Sequence, residues 1–313
     1  MKYYYAPMEG ITGYLHRNAC HSFFSEIDKY FTAFLSPNER GKLNSREKND
    51  ILPEHNEGIY LVPQIMTNRA DCFLAGEKTL RSYGYKEINL NLGCPSRTVV
   101  SKYRGAGFLA KPEELDHFLE EIFAHTECMI SVKTRIGRDD IEEFPRLLEI
   151  YNKYPLKELI IHPRTQKEFY KGTPHQDVFS YGVKNSRSPV CYNGDIADLK
   201  AYKEWAGKFP EADRVMIGRG LLTNPGLIGV LKGGPMPEKE KIREFHDAIY
   251  HAYQEEMPGG RVVLFKMKEL WVYMIRLFTD SKKYGKRIRK AEKLPAYEDA
   301  VRDLFAEQDI SVK

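Results

Sequence analysis

The segment Asn89-Leu90-Asn91-Leu92-Gly93-Cys94-Pro95 alternates amides with leucines and then breaks into a glycine turn that presents a cysteine. Residues two apart on a strand share a face, so Asn89 and Asn91 point the same way and need polar partners wherever that face is buried. A thiol of ordinary pKa, about 8.5, can give up a proton near neutral pH, which makes Cys94 a candidate general acid. The plain alternative is a buried Cys acting as a small apolar core residue. A second run, Ser131-Val132-Lys133-Thr134-Arg135, ends in cations. Burying an ammonium is costly without an anionic partner. A reduced flavin offers one, because its ring gathers negative charge at N1 and O2; an exposed surface lysine is the alternative. His162 closes the apolar run Ile160-Ile161-His162-Pro163-Arg164-Thr165, where it could donate to a flavin or substrate carbonyl, or bond to backbone as core histidines do. Two more runs, Cys191-Tyr192-Asn193-Gly194-Asp195 and Met216-Ile217-Gly218-Arg219-Gly220, each end in a glycine turn. Backbone N–H groups in such turns can hold phosphate, and Arg219 would add charge-assisted bonds. Neither run is a GxxxxGK[ST] loop or a GxGxxG fingerprint.

Strands must carry these groups. Short apolar or β-branched runs predict strands at 3–6, 30–34, 59–65, 87–92, 129–134, 158–162, 189–192 and 214–217. Between them, amphipathic stretches predict helices at 14–24, 69–83, 112–125, 141–153 and 198–206. Pro112 followed by Glu113 and Glu114 is a strong helix start, because the ring presets φ and the acids suit the N-terminal dipole. Eight strands in βα alternation predict a (β/α)8 TIM barrel, with a doubly wound sheet as the rival. The polar punctuation favours the barrel. Pro7-Met8-Glu9-Gly10, Gln64, Gly93-Cys94-Pro95, Lys133 to Arg135, His162 to Arg164, Asn193 to Asp195 and Gly218 to Gly220 all follow or end strands. A barrel gathers such ends on one face.

Gly233-Gly234-Pro235-Met236-Pro237 reads as a linker, after which the pattern turns purely helical. Ile242, Phe245, Ile249 and Tyr253 recur at helical spacing, as do Val263, Met267, Leu270, Met274 and Leu277. The expected division is a barrel over 1–235 and a small helical bundle over 236–313.

With 313 residues and a hydrophobic fraction of 42%, the chain can bury a sizeable core, which excludes a mainly disordered protein. The formal net charge is only +4, but its distribution is uneven. Between Arg261 and Lys293, eleven basic residues stand against three acids, a balance of +8 that leaves −4 for the rest of the chain. Such a patch suits a polyanion such as nucleic acid, or is a solvated helix face. The five cysteines, Cys20, Cys72, Cys94, Cys128 and Cys191, form no CxxC pair and are odd in number. No disulfide framework or zinc site is expected, and a reducing cytoplasm fits. No apolar run long enough for a membrane span occurs, and the first residues lack the apolar stretch of a signal peptide.

Taken as a set, these motifs resemble the tRNA-dihydrouridine synthases. The resemblance rests on Ala6-Pro7-Met8-Glu9-Gly10, Pro63-Gln64, the Asn89 to Pro95 segment, Gly105-Ala106-Gly107, Val132-Lys133-Thr134-Arg135, His162-Pro163-Arg164-Thr165, Tyr170-Lys171-Gly172, Asn193-Gly194-Asp195 and Gly218-Arg219-Gly220. It covers nearly the whole chain. It implies an FMN enzyme that reduces uridines in tRNA to 5,6-dihydrouridine, with NADPH or NADH as reductant. Pro7, Met8 and Glu9 would meet the flavin ring, Gln64 its edge, Lys133 its N1 and O2, and His162 would also touch it. Asn193, Gly194, Asp195, Gly218 and Arg219 would hold the phosphate end. Cys94 would protonate C5 while hydride passes from flavin N5 to C6, with Asn91 and Arg135 meeting the flipped uridine. A tRNA-gripping helical domain and a monomer are further implications. The rival functions are an FMN barrel acting on a free pyrimidine, in the manner of a dihydroorotate dehydrogenase, and a non-catalytic RNA-binding barrel.

Overall fold

In the computed structural model, which describes residues 1–311, eight strands close into a barrel in sequence order. They are β1 (Lys2–Tyr5), β2 (Lys29–Leu35), β3 (Leu61–Ile65), β4 (Glu87–Leu92), β5 (Met129–Arg135), β6 (Leu159–His162), β7 (Val190–Tyr192) and β8 (Arg214–Ile217). Successive strands from β1 to β8 pair in parallel. At the seam, the Lys2 N–H donates to the Asp213 carbonyl at 2.7 Å. All eight expected strands are present, and β4 and β8 have the expected bounds. A parallel barrel covered by helices buries both faces of its strands, so β3, β4 and β6 are buried along their whole length. Tyr4, Ala6, Phe31, Val62, Ile160, Cys191 and Met216 form a continuous cluster in the core.

The helix Pro112–His125 starts and stops where the sequence predicts. The helix expected at 141–153 is instead a 3-10 turn, Ile141–Glu143, followed by an α-helix, Phe144–Tyr151. Pro145 explains the break, since a proline is tolerated in a first turn and not in a helix interior. Two helices carry too little periodicity to be read from sequence. Ser45–Ile51 buries only Ile51 and is specified by its capping box, Asn44 with Glu47. Gln176–Asn185 buries only Phe179 and Gly182.

The structure divides into two compact units. The first comprises Met1–Pro7, Asp28–Asp195 and Ala206–Met216, and the second Met8–Ile27, Ile196–Trp205 and Ile217–Lys313. Within the second, the helices Lys239–Glu256, Gly260–Met274, Lys282–Lys290 and Leu294–Glu307 follow one another. The helix Tyr14–Phe23 belongs to the same unit, where His16, Phe23 and Phe24 pack their rings on Phe245. The buried Tyr297 hydroxyl ties three of these helices together. It accepts from Trp271 Nε1 at 2.8 Å and lies 2.6 Å from His246 Nε2. No helix among the described residues is long and apolar enough to cross a membrane.

Candidate active site

The C-terminal ends of β3, β4 and β5 carry a continuous row of side-chain hydrogen bonds. Asn89 Nδ2 donates to Ser131 Oγ at 2.9 Å, and Gln64 Nε2 donates to Asn89 Oδ1 at 2.8 Å. Asn91 Nδ2 donates to Gln64 Oε1 at 2.6 Å. Asn91 Oδ1 then accepts from the backbone N–H groups of Gly93, at 3.0 Å, and Cys94, at 2.9 Å. The register produces this row directly, because Gln64 is level with Asn89 and Asn89 with Ser131. All four side chains are buried, and each amide is satisfied by the next. The row ends on the turn that presents Cys94.

Three further contacts fasten that turn. Arg135 Nε donates to the Gly93 carbonyl at 2.9 Å, the Ala106 N–H to the Cys94 carbonyl at 3.0 Å, and Gln166 Nε2 to the Pro95 carbonyl at 3.1 Å. Gly105 has φ +53°, and a Cβ there would lie 2.9 Å from Cys94 Cβ, so only glycine lets this loop close on the turn. The Cys94 side chain is partly exposed, whereas Cys20, Cys72 and Cys191 are buried. Burial pushes the Cys191 thiol well above its ordinary pKa, which makes it an inert core residue.

Lys133 and His162 are the electrostatic anomaly of the site. Desolvation, and then the neighbouring Arg135, pull the Lys133 ammonium down to about 8. No carboxylate pairs with it among the described residues. His162 is buried, and desolvation, followed by Arg135 and Lys133, holds its pKa well below 6.5. Its Nδ1 lies 2.6 Å from the Asn193 carbonyl. A carbonyl only accepts, so Nδ1 carries the proton and the neutral ring presents Nε2 as an acceptor. That corrects the expectation of a His162 donor to a carbonyl. His162 Nε2 is itself buried with no hydrogen-bond partner among the described residues. A desolvated, half-buried cation and a buried lone pair left open at adjacent strand ends fit an electron-rich, hydrogen-bonding ring such as a flavin.

Two buried arginines shape the loop that follows β6. Arg135 Nη1 donates to the carbonyls of Thr165 and Phe169, both at 2.8 Å. Arg164 donates to the carbonyls of Lys171 (3.0 Å) and Gly172 (2.6 Å), and grips Asp195 bidentately at 2.5 and 3.2 Å. This scaffold presents Tyr170, which is 52% exposed, against the Arg135 guanidinium at 5.4 Å and the His162 ring at 6.1 Å. Sequence reasoning assigned Tyr170, Arg164, Gln166 and Gly105 no individual role. For Tyr170, Arg164 and Gly105 the only signal was membership of the motifs after the strands, and Gln166 lay just outside one of them.

The Asn193 carbonyl serves His162 and its Nδ2 donates to the Met216 carbonyl at 2.9 Å. A Cβ on Gly194 would run into the Tyr192 phenol, so the turn requires glycine. The Asp195 carboxylate faces Arg164, so any phosphate contact at this turn falls to backbone N–H groups. Pro7 follows β1 in the first unit. Met8, Glu9, Gly218 and Arg219 belong to the second. There the Met8 N–H donates to Thr12 Oγ1 at 2.8 Å, and Gly218 precedes the short helix Arg219–Thr223.

A closed eight-stranded parallel barrel whose strand ends converge a thiol, a desolvated lysine and a neutral histidine defines the class, a TIM-barrel enzyme. A family model described as Dihydrouridine synthase (Dus) matches residues 4–304, and the chain belongs to that family. The Staphylococcus aureus protein named "Probable tRNA-dihydrouridine synthase" is 31% identical over 236 residues, covering 70% of this chain and 68% of that protein. The Pasteurella multocida protein named "tRNA-dihydrouridine synthase B" is 27% identical over 238 residues, covering 76% of this chain and 70% of its own. Among solved structures, morphinone reductase in complex with tetrahydroNAD aligns with a TM-score of 0.52 at 10% identity, over 76% of this chain and 88% of that one. At that identity the likeness concerns the fold alone.

Proposed function

We propose that this chain reduces specific uridines of tRNA to 5,6-dihydrouridine, with FMN as bound cofactor and NADPH or NADH as reductant. The observation that carries the reading is the pair of unanswered polar groups, Lys133 and His162 Nε2, beside an amide-anchored thiol turn. Family membership and the names of the Staphylococcus and Pasteurella relatives support the tRNA substrate.

FMN, when bound, would supply the hydride chemistry, from N5 to C6 of uracil. The remaining work belongs to side chains. Lys133 would place positive charge beside N1 and O2 of the ring, and His162 Nε2 would accept from a ring or ribityl donor. Gln64 meets the ring edge, while Pro7, Met8 and Glu9 supply the first loop. The backbone turns Asn193-Gly194-Asp195 and Gly218-Arg219 would hold the phosphate. Cys94 gives its proton to C5 of uracil and is reprotonated from solvent. Lys133 and Arg135 both lie within electrostatic reach of Cys94. Asn91 orients the Cys94 turn and lines the uracil site with Arg135, and Tyr170 offers an exposed ring for the flipped base to lie against. Extracting that base from its stack costs a few kcal/mol, about what phosphate contacts can offset.

The barrel over 1–235 is the catalytic domain in this reading and the helices over 236–313 grip tRNA. The helix Lys282–Lys290 lines a groove with Lys283, Lys286, Arg287 and Lys290. Arg287 is paired with Asp303 and Lys283 with Glu307, while Lys286 and Lys290 are exposed and carry no carboxylate partner among the described residues. The five cysteines, none in a disulfide among the described residues, suit a reducing cytoplasm, and in this reading the enzyme acts as a monomer.

The test is to give the purified, FMN-loaded chain NADPH or NADH together with free uracil, orotate or tRNA lacking dihydrouridine. Dihydrouridine formation in tRNA alone is expected. Reduction of orotate or free uracil at comparable rates would favour a free-pyrimidine enzyme. A colourless protein that takes up no FMN and still binds tRNA would indicate a non-catalytic binder.

A further inference from the structure

One helix face in the second unit stands without a covering element among the described residues. Along Gly260–Met274 and the turn Ile275–Leu277, the residues Arg261, Val262, Phe265, Glu269, Val272 and Arg276 recur at spacings that place them on a single stripe. Val263, Met267, Leu270, Trp271 and Met274 are the buried side of the same helix. On the open stripe Phe265 is 60% exposed, Val272 57% and Val262 44%. Arg261 and Arg276 bracket it, both exposed and without a carboxylate partner among the described residues. The single acid on the stripe, Glu269, is neutralised by Lys266 at 3.2 Å. Lys266 Nζ also donates to the Gly10 carbonyl at 2.6 Å, which ties the edge of this stripe to the loop that carries Met8 and Glu9.

We infer that this stripe is an RNA-contact face, on which Phe265 stacks an unpaired base of the tRNA substrate while Arg261 and Arg276 meet phosphates on either side. The inference rests on the proposed function and adds residues to it. Three observations favour RNA as the occupant. An exposed aromatic between cations is how proteins hold unpaired nucleotides, since every base has a face to stack and every linkage an anion. The two arginines lie about 20 Å apart along the helix, at ~1.5 Å per residue, a span that several nucleotides cover. The stripe is also continuous, through Lys266, with a loop assigned to the reaction site. A second copy of the chain is a poor occupant. Three apolar side chains fall far short of the roughly 800 Å² per partner of a stable interface, and the like charges at both ends would repel.

The test uses the full-length, FMN-loaded protein and bulk tRNA lacking dihydrouridine, with binding measured over a range of salt concentrations. Phe265→Ala is expected to weaken binding about tenfold at each salt concentration, within what loss of one stacked base produces. Phe265→Trp should bind as the parent does, and Phe265→Leu should resemble the alanine variant. Arg276→Gln should lower the slope of log Kd against log salt by about one, whereas Phe265→Ala leaves the slope unchanged. Parent-like binding by Phe265→Ala overturns the inference, and so does rescue by leucine equal to that by tryptophan. A dimeric parent that becomes monomeric on Phe265→Ala, seen by sedimentation, assigns the face to a second copy and overturns it too. If the parent forms dihydrouridine while Phe265→Ala binds normally, only this inference fails. If the parent binds no tRNA, the function falls with it.

Discussion

The two ends of the barrel treat buried charge in opposite ways. At the N-terminal ends of the strands the buried ions Lys29, Glu87 and Glu158 all have partners. Lys29 lies 3.0 Å from Glu87 and 2.7 Å from Glu158, Arg214 lies 3.2 Å from Glu158, and the hydroxyls of Tyr4 and Tyr60 donate to Glu158 and Glu87, each at 2.9 Å. At the C-terminal ends, among the described residues, Lys133 has no carboxylate and His162 Nε2 has no hydrogen-bond partner. The composition of the two ends is similar, with cations, acids or amides on successive strands. The difference is closure. A closed network serves the fold, because its charges are answered within the chain. An open one leaves desolvation uncompensated, which persists in a protein when something outside the chain answers it.

The largest effect expected from this contrast is catalytic. Cys94→Ala should lower dihydrouridine formation by about 10²–10⁴-fold, the range for loss of a general acid, while bound flavin and the thermal midpoint stay near the parent values. Single-turnover mapping of dihydrouridine in tRNA, beside the absorbance of the bound cofactor, checks both halves. Activity close to the parent's would remove the proton-donor role from Cys94.

Next in size, and at the opposite end, is Glu158→Ala. It leaves Lys29 with Glu87 alone and Arg214 with Asp213 alone, strips Tyr4 of its acceptor, and should cost about 1–3 kcal/mol of stability, as loss of hydrogen bonds to a buried charged group does. Urea unfolding measures it. Because Glu158 lies far along the strands from the thiol turn, the variant's turnover per folded molecule should be unchanged at a temperature where it remains folded. A loss of turnover without loss of stability would mean that the two ends are not separable.

The smallest effect is at Lys133. Its pKa is lowered in the folded chain, to about 8 against an ordinary 10.5. The folded protein therefore carries an unfavourable charge below pH 8, and the unfolded chain keeps its proton up to about 10.5. Lys133→Met should then stabilise the flavin-free protein by about 1 kcal/mol below pH 8, discounted because the side chain still reaches solvent, with the gain shrinking as pH rises towards 10.5. The same variant should bind FMN about tenfold more weakly, the equivalent of ~1.4 kcal/mol in a binding constant. Parent FMN affinity should itself decline as pH rises through 8. Thermal midpoints and flavin titrations across pH 6–10 separate the two trends, and a destabilised flavin-free variant would show that Lys133 is already answered within the chain.

Much of this was written in the residues. The eight strands follow from short β-branched and apolar runs, and the helix Pro112–His125 from a proline and two acids at its start. The site motifs were legible because strand-terminal Asn, Lys, His and glycine turns have few uses in a core. The helix Gln176–Asn185 was not legible, since it packs through a glycine and one phenylalanine and has no apolar stripe to count. Nor was the broken helix at 141–151, where the proline decided the local geometry.

Residue order determined which side chains stand at the strand ends, because period-two alternation and turn chemistry are local properties of the chain. Only closure of the barrel decided what those side chains do to one another. It set Gln64 level with Asn89 and joined the amide row to the Cys94 turn. It also aimed the Nδ1 proton of His162 at Asn193, thirty-one positions away along the chain. Hydrogen bonding and desolvation depend on distances across strands, and pairing register fixes those distances; no local pattern encodes it.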